Sequence, residues 1–318
     1  MKLKVGMCFS RPFQGNDPLG HIDKKLPVYI RFLELCQEKN WEVFILTRKT
    51  YEGGGIFNGA WQFDRNKFSR VRKPVKIDLV YDRTGGVKFP PEEPSGPIVV
   101  NRRDFKLLCW DKWLGYRKTS CFMPKTIWVG ERQNLGSVLP KIKTDWVVLK
   151  PYNGLKGIGV FIGPKEKALN FEFPKKYPQY IAQEYVDTSG GISGIVKGLH
   201  DLRVTVINSK IVWAHVRTPP PGRFEANVAQ GGKIKEVELE KVPGSVRKIV
   251  VQVASRFYRE YDNPIYCLDF GVSEIGPLVF EINDQMGFPT WEMKAREMFL
   301  QELVKNFAMK LGIKDGGQ

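Results

Sequence analysis

Asp269, Glu281 and Asn283 lie in the stretch YCLDFGVSEIGPLVFEIND, residues 266–284, where alternation otherwise places apolar side chains. Two period-2 runs, LDFGV and LVFEIN, flank the break SEIGP, whose Gly276 suits the left-handed position of a three-residue hairpin loop. Folding about Ile275 sets Leu268 opposite Ile282, Phe270 opposite Phe280 and Val272 opposite Leu278, one wholly apolar face. The other face then receives Asp269 opposite Glu281, with Asn283 two residues further along. Opposed carboxylates repel unless a cation lies between them, and an all-oxygen set of carboxylates plus an amide suits Mg²⁺ sharing its shell with phosphate oxygens. The alternative, from the residues alone, is a solvated polar face.

A second constellation is WVVLKPYNGLKGIGVFIG, which puts Lys150 at the end of a buried strand and Gly154, Gly157 and Gly159 in the turn that follows. Glycines let backbone N–H groups approach phosphate oxygens, and a lysine alongside supplies charge. The lysine precedes the glycines and no helix follows, so this is not a P-loop. It reads as a flap over a triphosphate or as a plain flexible hairpin. In YIAQEYVD a strand ends in polar residues, and Gln183, Glu184 and nearby backbone are placed to meet an adenine edge. HDLRVTV sets Asp201 and Arg203 on one strand face, and Arg217 precedes TPPPGRFEANVAQGG, which contains Asn227. Beside phosphates and a metal, the two arginines are donors for a charge-rich transition state; separately, each is ordinary strand surface.

The elements that must position these groups change character along the chain. Residues 2–9 and 41–47 read as strands around an amphipathic helix at 25–39, with further buried strands at 76–82 and 97–101. That is a parallel α/β pattern, without G-x-G-x-x-G after the first strand; the Gly53–Gly54–Gly55 run falls in a loop. A proline-rich span at 90–97 leads into one helix-like segment, RDFKLLCWDKWLGY. From 145 onward strands joined by hairpins predict an antiparallel sheet, interrupted by a helix at 245–261 and closed by one at about 291–311.

The 318 residues suffice for two or three cooperating domains. No window approaches the ~18 uninterrupted apolar residues of a membrane span, and MKLKVGMCFS enters a strand-like run directly, so a cytoplasmic protein is expected. Five scattered cysteines lack C-x-x-C spacing, and three histidines form no H-E-x-x-H, which argues against a zinc site. Fifty basic against thirty-four acidic residues give a formal charge of +16, which favours anionic partners. Nucleic acid is disfavoured because Trp110, Trp113 and Trp128 fall in core-like patterns.

As an ordered set, WDKWL with Lys112, VVLKPYNGLKGIGV with Lys150, AQEYV, DLR, the segment from Arg217 to Gly232, and LDFG followed by FEIN resembles the ATP-grasp superfamily. The similarity is greatest to its carboxylate–amine ligases: ribosomal-protein glutamate ligase, glutathione synthetase and the lysine-biosynthesis carrier-protein ligases. It covers roughly residues 98–290. It implies an α/β (α+β) protein: a Rossmann-like pre-ATP-grasp domain at 1–101, a central subdomain at 102–185 bearing the flap, and a C-terminal subdomain at 186–318 bearing the metal site.

The resemblance further implies that Lys112 and Lys150 hold ATP phosphates under Gly154, Gly157 and Gly159. Gln183, Glu184 and Tyr185 would meet the adenine, and Asp201 would assist in nucleotide binding. Asp269, Glu281 and Asn283 would bind two Mg²⁺, with Mn²⁺ as an alternative, and Arg217, Asn227 and Arg203 would act on the transferred phosphoryl group. The implied reaction is ADP-forming ligation of a carboxylate to an amine through an acyl phosphate. Its substrates would be small molecules, an acidic peptide or a carrier protein, and self-association is left open. A kinase on the same fold, or a non-catalytic nucleotide-binding protein like those associated with endospore coats, stands as the alternative. Family members often continue the metal motif as E-x-N-x-x-P-G; here EINDQMGFP keeps Gly287 but has Met286 for the proline.

Overall fold

The computed structural model describes residues 2–13, 15, 17–155, 157–224, 226 and 231–313. The first sheet contains β1 (Lys4–Phe9), β2 (Glu42–Thr47), β3 (Tyr51–Gly53), β4 (Ile56–Asp64), β5 (Lys67–Lys76), β6 (Leu79–Asp82) and β7 (Ile98–Val100), and α1 (Leu26–Glu38) crosses from β1 to β2. Their order is β3-β4-β2-β1-β6-β7, with β5 paired to β4. β1 is parallel to β2 and β6, and β6 to β7, which is the expected α/β core.

The expected loop after β2 is instead an antiparallel meander, β3 to β5, whose first reversal uses Gly54 and Gly55 at φ +56° and +81°. The meander curls over the sheet: Phe57, Ala60 and Val75 join Phe44, Leu46 and Val80 in one core. On the opposite face Met7, Phe32 and Leu33 pack against Phe299, Leu303 and Phe307 of α7 (Arg296–Lys310), so the chain's last helix seals its first sheet.

The single helix expected after the proline-rich span is two. α2 (Arg103–Trp110) stops at Asp111, whose extended backbone and carboxylate cap α3 (Lys112–Thr119) by accepting from Leu114 N at 2.9 Å. Lys112 is thereby the first residue of a new helix rather than one position in a continuous one.

The antiparallel region is also two sheets, not one. β8 (Thr126–Gly130), β9 (Trp146–Pro151), β10 (Phe161–Pro164) and β11 (Tyr180–Glu184) form one in the order β10-β9-β11-β8. β12 (Asp201–Ile207), β13 (Lys210–Thr218), β14 (Lys233–Val237), β15 (Tyr266–Ser273) and β16 (Gly276–Asn283) form the other in the order β14-β13-β12-β15-β16. The glycine-rich connection from 185 to 200 makes no hairpin between β11 and β12, so the ladder breaks there. Two short helices, α4 (Leu135–Val138) and α5 (Lys165–Ala168), flank the middle sheet, and α6 (Gly244–Glu260) lays Val246, Val250, Val253 and Phe257 on Leu202, Val204, Leu268 and Phe270 of the last. That amphipathic face follows the 3.6-residue period.

The β15–β16 hairpin holds the expected register where the chemistry lies: Leu268 faces Ile282 and Asp269 faces Glu281. Beyond Asp269 the register slips by one, so Phe270 faces Val279 and Val272 faces Pro277, not Phe280 and Leu278. The extra residue is Phe280, whose ring lies over Gly271, where a Cβ would come within 2.0 Å of it.

Candidate active site

Between the sheets opens a cavity of about 510 Å³ lined by Lys112, Lys150, Gly154, Gly157, Gln183, Glu184, Tyr185, Asp201, Arg203, Arg217, Asp269, Glu281 and Asn283. These residues come from seven elements and from connections between them, so only the fold assembles them. Asn227 lies outside the described residues. Gly159 is not among the residues lining the cavity: its carbonyl accepts from the Tyr180 hydroxyl at 2.7 Å, and a Cβ on it would stand 2.8 Å from that oxygen.

The wall of the last sheet carries charge in a row. Glu281, Asp269, Arg203 and His215 are successive cross-strand neighbours on β16, β15, β12 and β13. Arg203 binds Asp269 with both Nε and Nη2, each at 2.6 Å. Arg217 holds Asp201 at 2.6 and 2.8 Å and reaches Asp269 Oδ2 at 2.9 Å. Asp201, expected to assist in nucleotide binding, lines the cavity and is the carboxylate that aims Arg217. Burial would raise the Asp269 pKa, but Arg203 and Arg217 overcome it and hold the group well below the usual carboxylate range. Asp201 is raised to about 6, by burial first and by the Asp269 charge, which offset the pull of Arg217.

Opposite stand the two lysines. Lys112 Nζ lies 3.1 Å from Glu281 Oε1 and donates to Gly154 O at 2.6 Å, joining the helix start to the flap. Burial tends to raise the Glu281 pKa, yet Lys112 and Lys150 bring it below its ordinary value. Lys150 Nζ donates to Gln183 Oε1 at 2.8 Å and to Phe280 O at 3.1 Å, and burial lowers it to about 8. Gln183, expected at an adenine edge, is buried on the cavity wall, with its Oε1 accepting from Lys150 and its Nε2 donating to Thr126 Oγ1 at 2.8 Å. It positions Lys150. Glu184 Oε1 accepts from Lys143 N at 3.1 Å, and Tyr185 packs against the rings of Trp146 and Phe224, which also contact each other.

The carboxylates expected to need a metal between them are therefore already matched by protein cations. The donor set still fits a hard cation: Asp269 and Glu281 are kept ionised, Asn283 adds an amide 3.1 Å from Asp269 Oδ2, and all three line the cavity. Among the described residues no three His, Cys, Asp or Glu side chains cluster as a metal site.

Two contributions were not legible in the sequence. Gly85 and Gly86, after β6, bring the first sheet to the cavity wall. Lys106 of α2 is buried between Asp284 at 2.8 Å and Asp82 at 3.2 Å, fixing the residue after Asn283 to the end of β6. Burial works against the Lys106 charge, but the two aspartates outweigh it and raise its pKa. Nothing in the local pattern of RDFKLLCW marks that lysine as internal.

This three-sheet architecture is an ATP-grasp fold. D-alanyl-alanine synthetase A from Vibrio cholerae superposes with a TM-score of 0.64 over 98% of this chain and 99% of that chain, at 13% sequence identity. A Chryseobacterium gregarium RiPP-associated ATP-grasp ligase, solved with ADP and a leader and core peptide, gives 0.62 over 97% of both chains at 13% identity. More specifically, residues 108–306 match the RimK-like ATP-grasp domain, and the chain belongs to that family. A probable alpha-L-glutamate ligase of Mannheimia succiniciproducens is 25% identical over 197 residues, spanning 60% of this chain and 60% of that protein.

Proposed function

We propose that the protein is an ATP-dependent, ADP-forming carboxylate–amine ligase working through an acyl phosphate. The observation that carries this is the convergence on one cavity of two lysines beneath a glycine flap, an ionised oxygen ledge and two arginines. Lys112 and Lys150 bind the phosphates, residues 153–159 cover them, and the end of β11 at Glu184 and Tyr185 borders the base. Two Mg²⁺ held by Asp269, Glu281 and Asn283 would neutralise charge on the phosphates and the acyl phosphate. Arg203 and Arg217, fixed by bidentate carboxylate contacts, hold the attacking carboxylate in line and stabilise the loose phosphoryl transition state. The flap excludes water, which would hydrolyse the activated acid. The carboxylate oxygen bonds to the γ-phosphorus as ADP leaves; the amine then forms the C–N bond as phosphate departs.

The substrates fall among amino acids, peptides and acidic carrier proteins. The relative's name and the peptide-bound RiPP-associated structure support that range. The test combines protein, Mg-ATP, pooled carboxylates and hydroxylamine, with Glu281→Ala as control. ADP with an acyl hydroxamate that the control lacks is expected. ADP alone would overturn the ligase reading in favour of a phosphotransferase or idle ATPase, and neither product would favour a binding protein.

A further inference from the structure

Residues 65–76 of the meander, RNKFSRVRKPVK, hold cations and no acid: Arg65, Lys67, Arg70, Arg72, Lys73 and Lys76, all of them exposed. Among the described residues none of these cations has an ion-pair or side-chain hydrogen-bond partner, and Asp64, opposite Lys67, accepts from Gln37 instead. Lys106, Lys112, Arg203 and Arg217, by contrast, are each paired with a carboxylate. None of the exposed cations lines the active-site cavity, so direct contact with nucleotide does not account for them.

The backbone sets how this stretch meets a partner. β5 pairs with β4 alone, which leaves its other edge open. Arg65 and Asn66, at φ +45° and +62°, form the two-residue loop between the strands, so Asp64 and Lys67 close the hairpin as a hydrogen-bonded pair and alternate pairs follow. Phe68 and Arg70 therefore turn their N–H and C=O groups to the open edge. The regular ladder runs to Val71; Arg72 and Lys73 then stand opposite Gly59 alone, a bulge, and Pro74 has no N–H to extend the edge. Cations lie on both faces of the strand: Arg70 shares the face of Trp61 and Phe68, and Lys67 that of Val71.

That distribution selects the occupant. A second copy of this edge would bring like charge to like charge. A nucleic acid would press phosphates on one face and stack bases on exposed rings, yet Trp61 is buried and Phe68 is half-buried against the core. An extended acidic run added at the edge sends alternate side chains to either face, with the two-residue period of the strand beside it.

We propose that the open edge of β5 around Phe68 and Arg70 docks an extended acidic segment of a partner polypeptide, which joins the first sheet as a further strand. Phe68 and Arg70 supply the main-chain bonds, and Arg65, Lys67, Arg70, Arg72 and Lys73 the complementary charge. The surface lies outside the active-site cavity, and the inference does not depend on the ligase reading.

The probe is fluorescein-labelled octaglutamate, read by anisotropy against the full chain. Its control is an alternating glutamate–proline peptide with as many side-chain carboxylates, which cannot pair as a strand. Octaglutamate should bind about tenfold more tightly than the control and weaken as salt is raised. Replacing both Arg70→Ser and Arg72→Ser should lose about tenfold. Arg70→Pro should lose about fivefold more than Arg70→Ser, since both lack the guanidinium and only proline lacks the N–H. Equal binding of the two peptides, or equal losses in the serine and proline variants at Arg70, would make the ribbon a diffuse basic surface and overturn strand docking. Tighter binding of a single-stranded RNA of equal charge would overturn it in favour of nucleic acid. Should Arg70→Pro not unfold cooperatively, the comparison of the two peptides decides.

Discussion

Replacing Lys150 by arginine while following nucleotide affinity with pH tests whether the proposed phosphate site contains a buried, weakly basic lysine. The ammonium is bonded only to neutral oxygens, Gln183 Oε1 and Phe280 O, and burial, reinforced by Lys112, lowers its pKa from 10.5 to about 8. Phosphate contact would restore the charged form, so above pH 8 binding takes up a proton and affinity falls as pH rises. A pKa one unit below the pH leaves about one molecule in ten protonated, so affinity at pH 9 should be about tenfold weaker than at pH 7, ~1.4 kcal/mol. Calorimetry with a non-hydrolysable ATP analogue and Mg²⁺, in two buffers of different ionisation enthalpy, reads both quantities. Wild type should take up about one proton per nucleotide at pH 9 and about none at pH 7. Lys150→Arg should bind without uptake at either pH because guanidinium does not titrate there. A flat wild-type affinity from pH 7 to 9, or the same slope in the arginine variant, would refute the reasoning.

Asp269→Asn strands Arg203 beside a neutral amide and leaves Arg217 with Asp201 alone, so denaturant unfolding should show a loss of about 3 kcal/mol, with Mg²⁺-dependent nucleotide binding lost as well. Gly159→Ala forces a methyl against the Tyr180 hydroxyl at φ +77°; amide exchange should quicken across 153–159 while β9 and β11 stay protected. Gly271→Ala drives the Phe280 ring toward the cavity it lines, and should cost about 1–3 kcal/mol of stability and raise the KM for ATP.

The hairpin that carries Asp269 and Glu281 was legible because period-2 patterning fixes which residues share a face, and a one-residue error would have buried both carboxylates in the core. The same logic gave the parallel strands around α1, and the glycine spacing gave the turn between β9 and β10. What the pattern could not contain was the bulge at Phe280, since an extra residue is decided by a ring packing over Gly271 rather than by polarity. Likewise the break between α2 and α3 depends on the Asp111 cap, and the meander β3 to β5 on which face of the first sheet needed covering.

The sequence by itself determined the kinds of chemistry present: oxygen acceptors, two lysines, two arginines and their order along the chain. Only the tertiary structure decided what each meets. Asp201 aims Arg217, Gln183 holds Lys150, Lys106 is buried between Asp82 and Asp284, and Lys25 and Arg83 converge on Gly287 across more than two hundred residues. Charge pairing falls off within a few ångströms, so its partners are set by where sheets pack, a distance that sequence separation does not encode.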